Sequence, residues 1–183
     1  MSKGAIEVIA GPMFSGKTEE LLRRLNRSKL AFQDVVAVKP SMDTRYDPLH
    51  VCSHAGGRHP AKVVPATDEG VAAILNIGMQ PVHVVGIEEV QFFPPSIVDV
   101  CRKLKNAGRR VVVTGLDMDF RGEPFGVVPV LLAIGQVTKL SAVCHACGDD
   151  AHYTYKKSGT REQVEVGVHE YEARCYKCWS RAQ

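Results

Sequence analysis

Gly11-Pro12-Met13-Phe14-Ser15-Gly16-Lys17-Thr18 decides the fold. It spells G-x-x-x-x-G-K-[ST], the loop that cradles nucleotide phosphates. The glycines let the backbone bend around an anion and turn successive N–H groups inward. Lys17 supplies a point charge for the β- and γ-phosphates, and the Thr18 hydroxyl is suited to the coordination shell of Mg²⁺. Working outward, Ile6-Glu7-Val8-Ile9-Ala10 reads as a buried strand leading in. Thr18 to Phe32 reads as a helix, with Leu21, Leu22, Leu25 and Phe32 on roughly one face. A phosphate bound here would sit at a helix N-terminus, where unpaired N–H groups and the dipole favour it.

The same alternation continues along the chain. Val35 to Val38, Val82 to Ile87, Arg110 to Gly115 and Val137 to Leu140 are strand-like apolar runs. Between them Asp68 to Asn76 and Pro95 to Ala107 have helical spacing, the second opened by Pro94-Pro95 and stopped by Gly108. β-branched strands alternating with helices predict an α/β fold, a mostly parallel sheet covered on both faces. Ligands in such sheets bind beyond the carboxyl ends of the strands, where the phosphate loop, Glu88-Glu89 and Leu116-Asp117 all fall. Residues 40–60 carry three prolines, two glycines and three histidines and read as a long irregular excursion, with His50, His54 and His59 as solvated loop histidines.

Composition is that of an ordinary globular chain: 183 residues, 45% hydrophobic and 23% charged, with a net charge of +3. That charge is too mild to demand a polyanionic partner, and the Arg23, Arg24, Arg27 and Lys29 cluster reads as a solvated helix face. No apolar run approaches a membrane span and no signal-like segment opens the chain. The expectation is a cytoplasmic protein with no membrane and no nucleic-acid partner.

Two further constellations carry chemistry. Glu88 and Glu89 directly follow a strand, where phosphate-loop enzymes place a carboxylate for Mg²⁺ and where a second carboxylate is placed to act as a base. Cys144-x-x-Cys147 and Cys175-x-x-Cys178 have the spacing of two knuckles closing on one tetrahedral Zn²⁺. Four protein sulfurs leave no open position, so the zinc is read as structural. These cysteines and the phosphate loop argue for a reducing compartment without disulfides. The chain therefore divides into a phosphate-loop α/β domain over 1–143 and a small zinc-ribbon or lasso subdomain over 144–183. The segment between the knuckles reads as a loop with a fixed base and a mobile middle, a candidate lid.

Together these residues resemble the type II, zinc-containing thymidine kinases over nearly the whole chain. The resemblance rests on Gly11 to Thr18 with its Gly-Pro-Met-Phe-Ser filling, Lys39-Pro40 and Asp43-Thr44-Arg45-Tyr46. It continues in Glu89-Val90-Gln91-Phe92-Phe93, Gly115-Leu116-Asp117, Pro124-Phe125-Gly126, the four cysteines, and Val164-Glu165-Val166-Gly167 before Tyr171. It implies transfer of the γ-phosphoryl group of ATP to the 5′-hydroxyl of thymidine, with Mg²⁺ and with Glu89 as general base. It implies that Gly11, Met13, Phe14, Ser15, Gly16, Lys17, Thr18 and Arg45 serve ATP, and that Thr18 and Glu88 serve Mg²⁺. Met13, Phe92, Leu116, Phe125, Thr154, Val164, Val166, Gly167 and Tyr171 match positions around the nucleoside. A homotetramer with thymidine triphosphate as feedback inhibitor is also implied.

Three departures stand out. Glu88 occupies a position that is typically Asp, Gly167-Val168 replaces a common Gly-Gly, and His169-Glu170 differs from the usual lid sequence. Two rival readings share the motifs: a phosphate-loop kinase of another nucleoside, and a nucleic-acid-binding ATPase using the zinc ribbon. Against the second, no basic stripe with interleaved aromatics is present in the sequence.

Overall fold

The computed structural model describes residues 4–43, 47–157 and 170–182. Strand β1 (Ala5–Ala10) runs into the phosphate loop and helix α1 (Lys17–Leu30). Strands β2 (Val35–Pro40), β3 (His50–Cys52) and β4 (Arg58–Val64) precede helix α2 (Asp68–Met79). Then come β5 (Val84–Ile87), α3 (Ser96–Asn106), β6 (Arg110–Gly115), α4 (Val128–Ile134) and β7 (Gln136–Lys139). These seven strands form one sheet in the order β3-β4-β2-β5-β6-β1-β7, parallel throughout except for β3.

The period of the strands decides which helix covers which face. On β6, Val112 points to the side where Leu21, Leu22 and Leu25 of α1 pack with Ile9, Ala37 and Val84. Val111 and Val113 point to the other side, against Val71 and Ile74 of α2, Ile97, Cys101 and Leu104 of α3, and Val128 and Leu131 of α4. Both faces are dry, which is why these strands read as continuous apolar runs. Acidic Glu19 and Glu20 in the first turn of α1, with basic Arg27 and Lys29 in its last, complement the helix dipole. Helix α2 is capped by Thr67, whose side chain accepts the Gly70 N–H.

Several expectations change. Helix α1 stops at Leu30, and Phe32 sits beyond it in a left-handed turn at φ 56°, 97% exposed rather than on the core face. Residues 40–60 are not wholly irregular. They contain β3 and the start of β4, which joins the sheet between β3 and β2, and Pro60 stands opposite His50 of β3, one residue before the pairing with β2 begins at Ala61. His59 is buried rather than solvated, and its Nδ1–H donates to the Pro60 carbonyl at 2.7 Å. Arg24 is not a solvated residue either: it joins α1 to Glu7 of β1 and Thr138 of β7.

The C-terminal part is built from two small strand pairs, β8 (Ala142–Val143) with β9 (Asp150–Ala151) and β10 (Tyr153–Lys156) with β11 (Tyr171–Arg174), closed by the short helix α5 (Tyr176–Ser180). Trp179 stacks on Tyr153 and donates its indole N–H to the Phe120 carbonyl, seating α5 against the loop after β6. The middle of the candidate lid, with Val164, Val166 and Gly167, lies outside the described residues, as does Arg45. No helix among the described residues is long and apolar enough to cross a membrane.

Candidate active site

Strand register brings the site together. Ala10 lies beside Gly115, and Ile87 beside both Val113 and Val38. The loops after β1, β2, β5 and β6 therefore leave the sheet at one carboxyl edge, at nearly the same height. Met13 to Thr18, Lys39, Asp43, Glu88, Glu89 and Leu116 line a single cleft there.

The phosphate loop has the shape its sequence requires. Gly11 at φ 154° leaves no room for a side chain, because a Cβ would lie 2.5 Å from the Leu140 carbonyl oxygen. Gly16 caps α1 in the left-handed conformation, leaving the first-turn N–H groups of the helix facing the cleft. Phe14 is also left-handed (φ 65°), with its ring against His54 and His145. Lys17 is buried, and its ammonium donates to the Pro12 carbonyl at 2.7 Å, which holds the charge inside the loop.

Opposite the loop, Thr18 Oγ1 donates to Glu88 Oε1 at 2.6 Å. A hydroxyl and a carboxylate, both hard oxygens, thus converge at the foot of the loop, the donor chemistry Mg²⁺ prefers. Glu89 sits next along the chain in a left-handed conformation (φ 50°, ψ 49°), a strained backbone for a residue with a side chain. Two groups hold it there. Its N–H donates to Thr114 Oγ1 at 3.2 Å, and its carboxylate accepts from Gln91 Nε2. Gln91 in turn accepts the Leu116 N–H through Oε1 at 3.2 Å, linking the carboxylate to the loop after β6.

The predicted nucleoside positions fall on that side. Phe92 and Phe125 meet edge to face with ring centres 6.1 Å apart. Thr154, buried on β10, accepts the Met13 N–H at 3.1 Å and so ties the ribbon to the phosphate loop. Tyr171 is buried at the start of β11, opposite Lys156. Of the cleft residues without a role assigned from the sequence, Lys39 is the most instructive. Its buried ammonium donates to the carbonyls of Asp47 and His50 and pairs with Asp43, pinning the segment that follows β2. His54, expected as a solvated loop histidine, and Cys52 also line the cleft.

The four cysteines cluster as the spacing predicts, with all Sγ atoms within 4.8 Å of one another. Cys147 and Cys175 sulfurs are 3.7 Å apart, against an edge of about 3.8 Å for a tetrahedron with Zn–S bonds of about 2.3 Å. Burial opposes ionisation of Cys144, but backbone N–H groups of Cys175, Ala146 and Cys147 aimed at its sulfur bring its pKa down to about 6. The crowded sulfurs act the other way on their neighbours, pushing Cys147 up to about 12 and Cys178 upward, so four thiolates this close together suit a bound cation such as Zn²⁺. His145 is not needed as a ligand; its Nδ1 lies 3.2 Å from the Ala173 N–H.

A parallel sheet with a phosphate loop after its first strand, and paired glutamates after the strand two places away, defines a phosphate-loop nucleotide-binding protein. The family model described as thymidine kinase matches residues 4–179. A thymidine kinase of Bacteroides thetaiotaomicron is 45% identical, covering 99% of this chain and 89% of that protein. One of Halobacterium salinarum is 48% identical over 97% of this chain and 94% of its own. One of Porphyromonas gingivalis is 47% identical over 98% and 86%. The chain belongs to the thymidine kinase family, and its cysteine cluster is consistent with the zinc-containing type.

Proposed function

We propose that this chain phosphorylates the 5′-hydroxyl of thymidine with ATP, giving thymidine monophosphate and ADP, as a step of nucleotide salvage. The observation that carries the reading is the convergence of Lys17 and Thr18 with Glu88 and Glu89 in one cleft, beside Met13 and Leu116. Triphosphate lies along the loop of residues 11–18, facing the first-turn N–H groups of α1. Lys17 leaves the Pro12 carbonyl to meet the β- and γ-phosphates. Thr18 and Glu88 would hold Mg²⁺, which would supply charge neutralisation on the phosphates. Glu89 accepts the proton of the nucleoside hydroxyl as that oxygen attacks the γ-phosphorus and the bond to the β-phosphate oxygen breaks. Most of the work is alignment and electrostatic stabilisation.

Met13, Phe92, Leu116, Phe125, Thr154 and Tyr171 are assigned to the nucleoside, with Val164, Val166, Gly167 and Arg45 as further family-matched contacts. The zinc is structural, and the chain divides at about residue 143 into catalytic and ribbon parts. By the same resemblance we infer a cytoplasmic homotetramer inhibited by thymidine triphosphate. The test is ATP- and Mg²⁺-dependent phosphorylation by purified protein, comparing thymidine with deoxycytidine and deoxyguanosine. Preference for either other nucleoside would move the assignment to a different kinase of the same fold.

A further inference from the structure

Thr114 is the residue before Gly115 at the end of β6, 1% exposed, and no role was assigned to it from the sequence. Register explains where it lies. Ile87 pairs with Val113 and Ile9 with Thr114, so the chain leaving β5 at Glu88 passes beside Thr114 with the phosphate loop on its other flank. Its hydroxyl then touches both carboxylate residues of the cleft. It donates to Glu88 Oε2 at 2.9 Å and accepts the Glu89 N–H at 3.2 Å.

The direction of these bonds is fixed by chemistry. A backbone N–H can only donate, so the Thr114 oxygen must accept from Glu89 and spend its own proton on Glu88. Glu88 is buried, with one methylene more than the aspartate expected at this position, hence one more torsion through which its carboxylate can turn. Thr18, in the first turn of α1, engages Oε1 and Thr114, on β6, engages Oε2, so each oxygen of the carboxylate has its own hydroxyl donor.

We propose that Thr114 is a positioning residue that orients the Glu88 carboxylate toward the Thr18 hydroxyl for divalent-cation binding, while fixing the left-handed backbone of Glu89. The inference rests on the kinase reading for its effect on turnover, but its effect on cation-dependent nucleotide binding requires only the phosphate loop. Residues that orient a metal-binding carboxylate from behind typically change metal affinity or activity by about 10- to 100-fold when lost. Thr114→Val keeps the shape and removes the hydroxyl; Thr114→Ser keeps the hydroxyl and removes the methyl.

The experiment is calorimetric titration of a non-hydrolysable ATP analogue into the full chain across a Mg²⁺ series, with no nucleoside present, followed by steady-state kinetics with thymidine. Thr114→Val should need at least about tenfold more Mg²⁺ for half-maximal analogue binding, with metal-free analogue binding unchanged. Its kcat should fall by a similar factor while the KM for thymidine stays within about twofold, and Thr114→Ser should recover most of both. A Mg²⁺ requirement like that of the parent in Thr114→Val would overturn the proposal. So would a Ser variant as impaired as the Val variant, because packing rather than the hydroxyl would then be at work. Should the Val variant fail to fold, Thr114→Ala removes the same hydroxyl without demanding space and is read in the same way. If the parent protein fails to phosphorylate thymidine, the kinase reading falls and the binding titration still decides the role of Thr114.

Discussion

The sheet domain and the cysteine ribbon are held together by different physics. Around the sheet, two apolar clusters fill both faces with valine, isoleucine and leucine side chains. In the ribbon, the buried cluster consists of Ala142, Ala151, Ala173 and Cys144, with Phe14 packed against it from the phosphate loop. Three alanines bury too little surface to offset the entropy of ordering such a segment. The first region folds by burial, while the second is expected to draw its stability from a metal held by its four cysteines. Yet the ribbon is not an appendage, because Thr154 on β10 holds Met13 in the phosphate loop.

The largest expected effect comes from removing the metal. Structural zinc contributes on the order of 10 kcal/mol to small domains that have no core of their own. Cys175→Ser, or a strong chelator, should unfold the ribbon while the sheet domain keeps its helical circular dichroism and a cooperative melt. Metal analysis of active, reduced protein should give one zinc per chain. Substoichiometric zinc in fully active protein would show that the ribbon orders without metal.

Changes inside the cleft should leave that division intact and break only chemistry. Glu89→Gln should lower turnover by roughly a hundredfold or more and spare thymidine binding, the usual scale for a general base. Lys17→Ala should weaken nucleotide binding and turnover together. Near-normal turnover in Glu89→Gln would remove Glu89 as the base. Calorimetric thymidine titrations separate the two variants.

What was legible in the sequence follows the same contrast. The phosphate loop, the strands leading to it and the two cysteine pairs are local patterns, fixed by spacing within a few residues. The alternation of strands with helices and the covering of both faces followed from periodicity, while the strand order did not. What stayed hidden depends on pairing between distant segments. Thr114 is one more β-branched strand residue until β5 is laid beside β6. Gln91 stands in a recognised motif, yet its bond to Glu89 requires the tight turn at Val90–Phe92. His59 and β4 sit in a stretch whose prolines and glycines masked an edge strand, and Phe32 followed the helical spacing only until α1 ended. Lys39 is buried because three oxygens of a later loop close over it.

The hydrogen bond from the Met13 N–H to Thr154 is the link that reaches from the ribbon into the phosphate loop backbone, and Thr154→Val tests it. The substitution preserves side-chain volume but leaves the buried Met13 N–H without its acceptor, at a cost of about 1–3 kcal/mol. The melting temperature of the zinc-loaded protein should fall, and the KM for thymidine should rise more than that for ATP, since Met13 is assigned to the nucleoside side. An unchanged melting temperature together with an unchanged KM would mean that the ribbon and the phosphate loop act independently.

The smallest expected effect separates the two regions by pH. Acid weakens the ribbon because its thiolates take up protons and release zinc. The sheet domain has its own acid-sensitive group in His59. Burial lowers its pKa, the Pro60 carbonyl opposes the shift, and nearby positive charge from Lys29 on α1 and from His50 lowers it further. Its Nε2 is buried with no hydrogen-bond partner among the described residues. The imidazole is therefore folded in its neutral form, and the unfolded chain takes up the proton first as pH falls. Stability from this group is complete above about pH 6.5 and is lost progressively as pH falls from there through the lower folded value. His59→Gln should flatten that part of the stability–pH curve for the sheet domain, measured by urea unfolding, and leave the pH of zinc release unchanged. A slope that persists in His59→Gln would place the acid sensitivity elsewhere in the sheet domain. A shift in zinc release would mean that the two regions do not unfold separately.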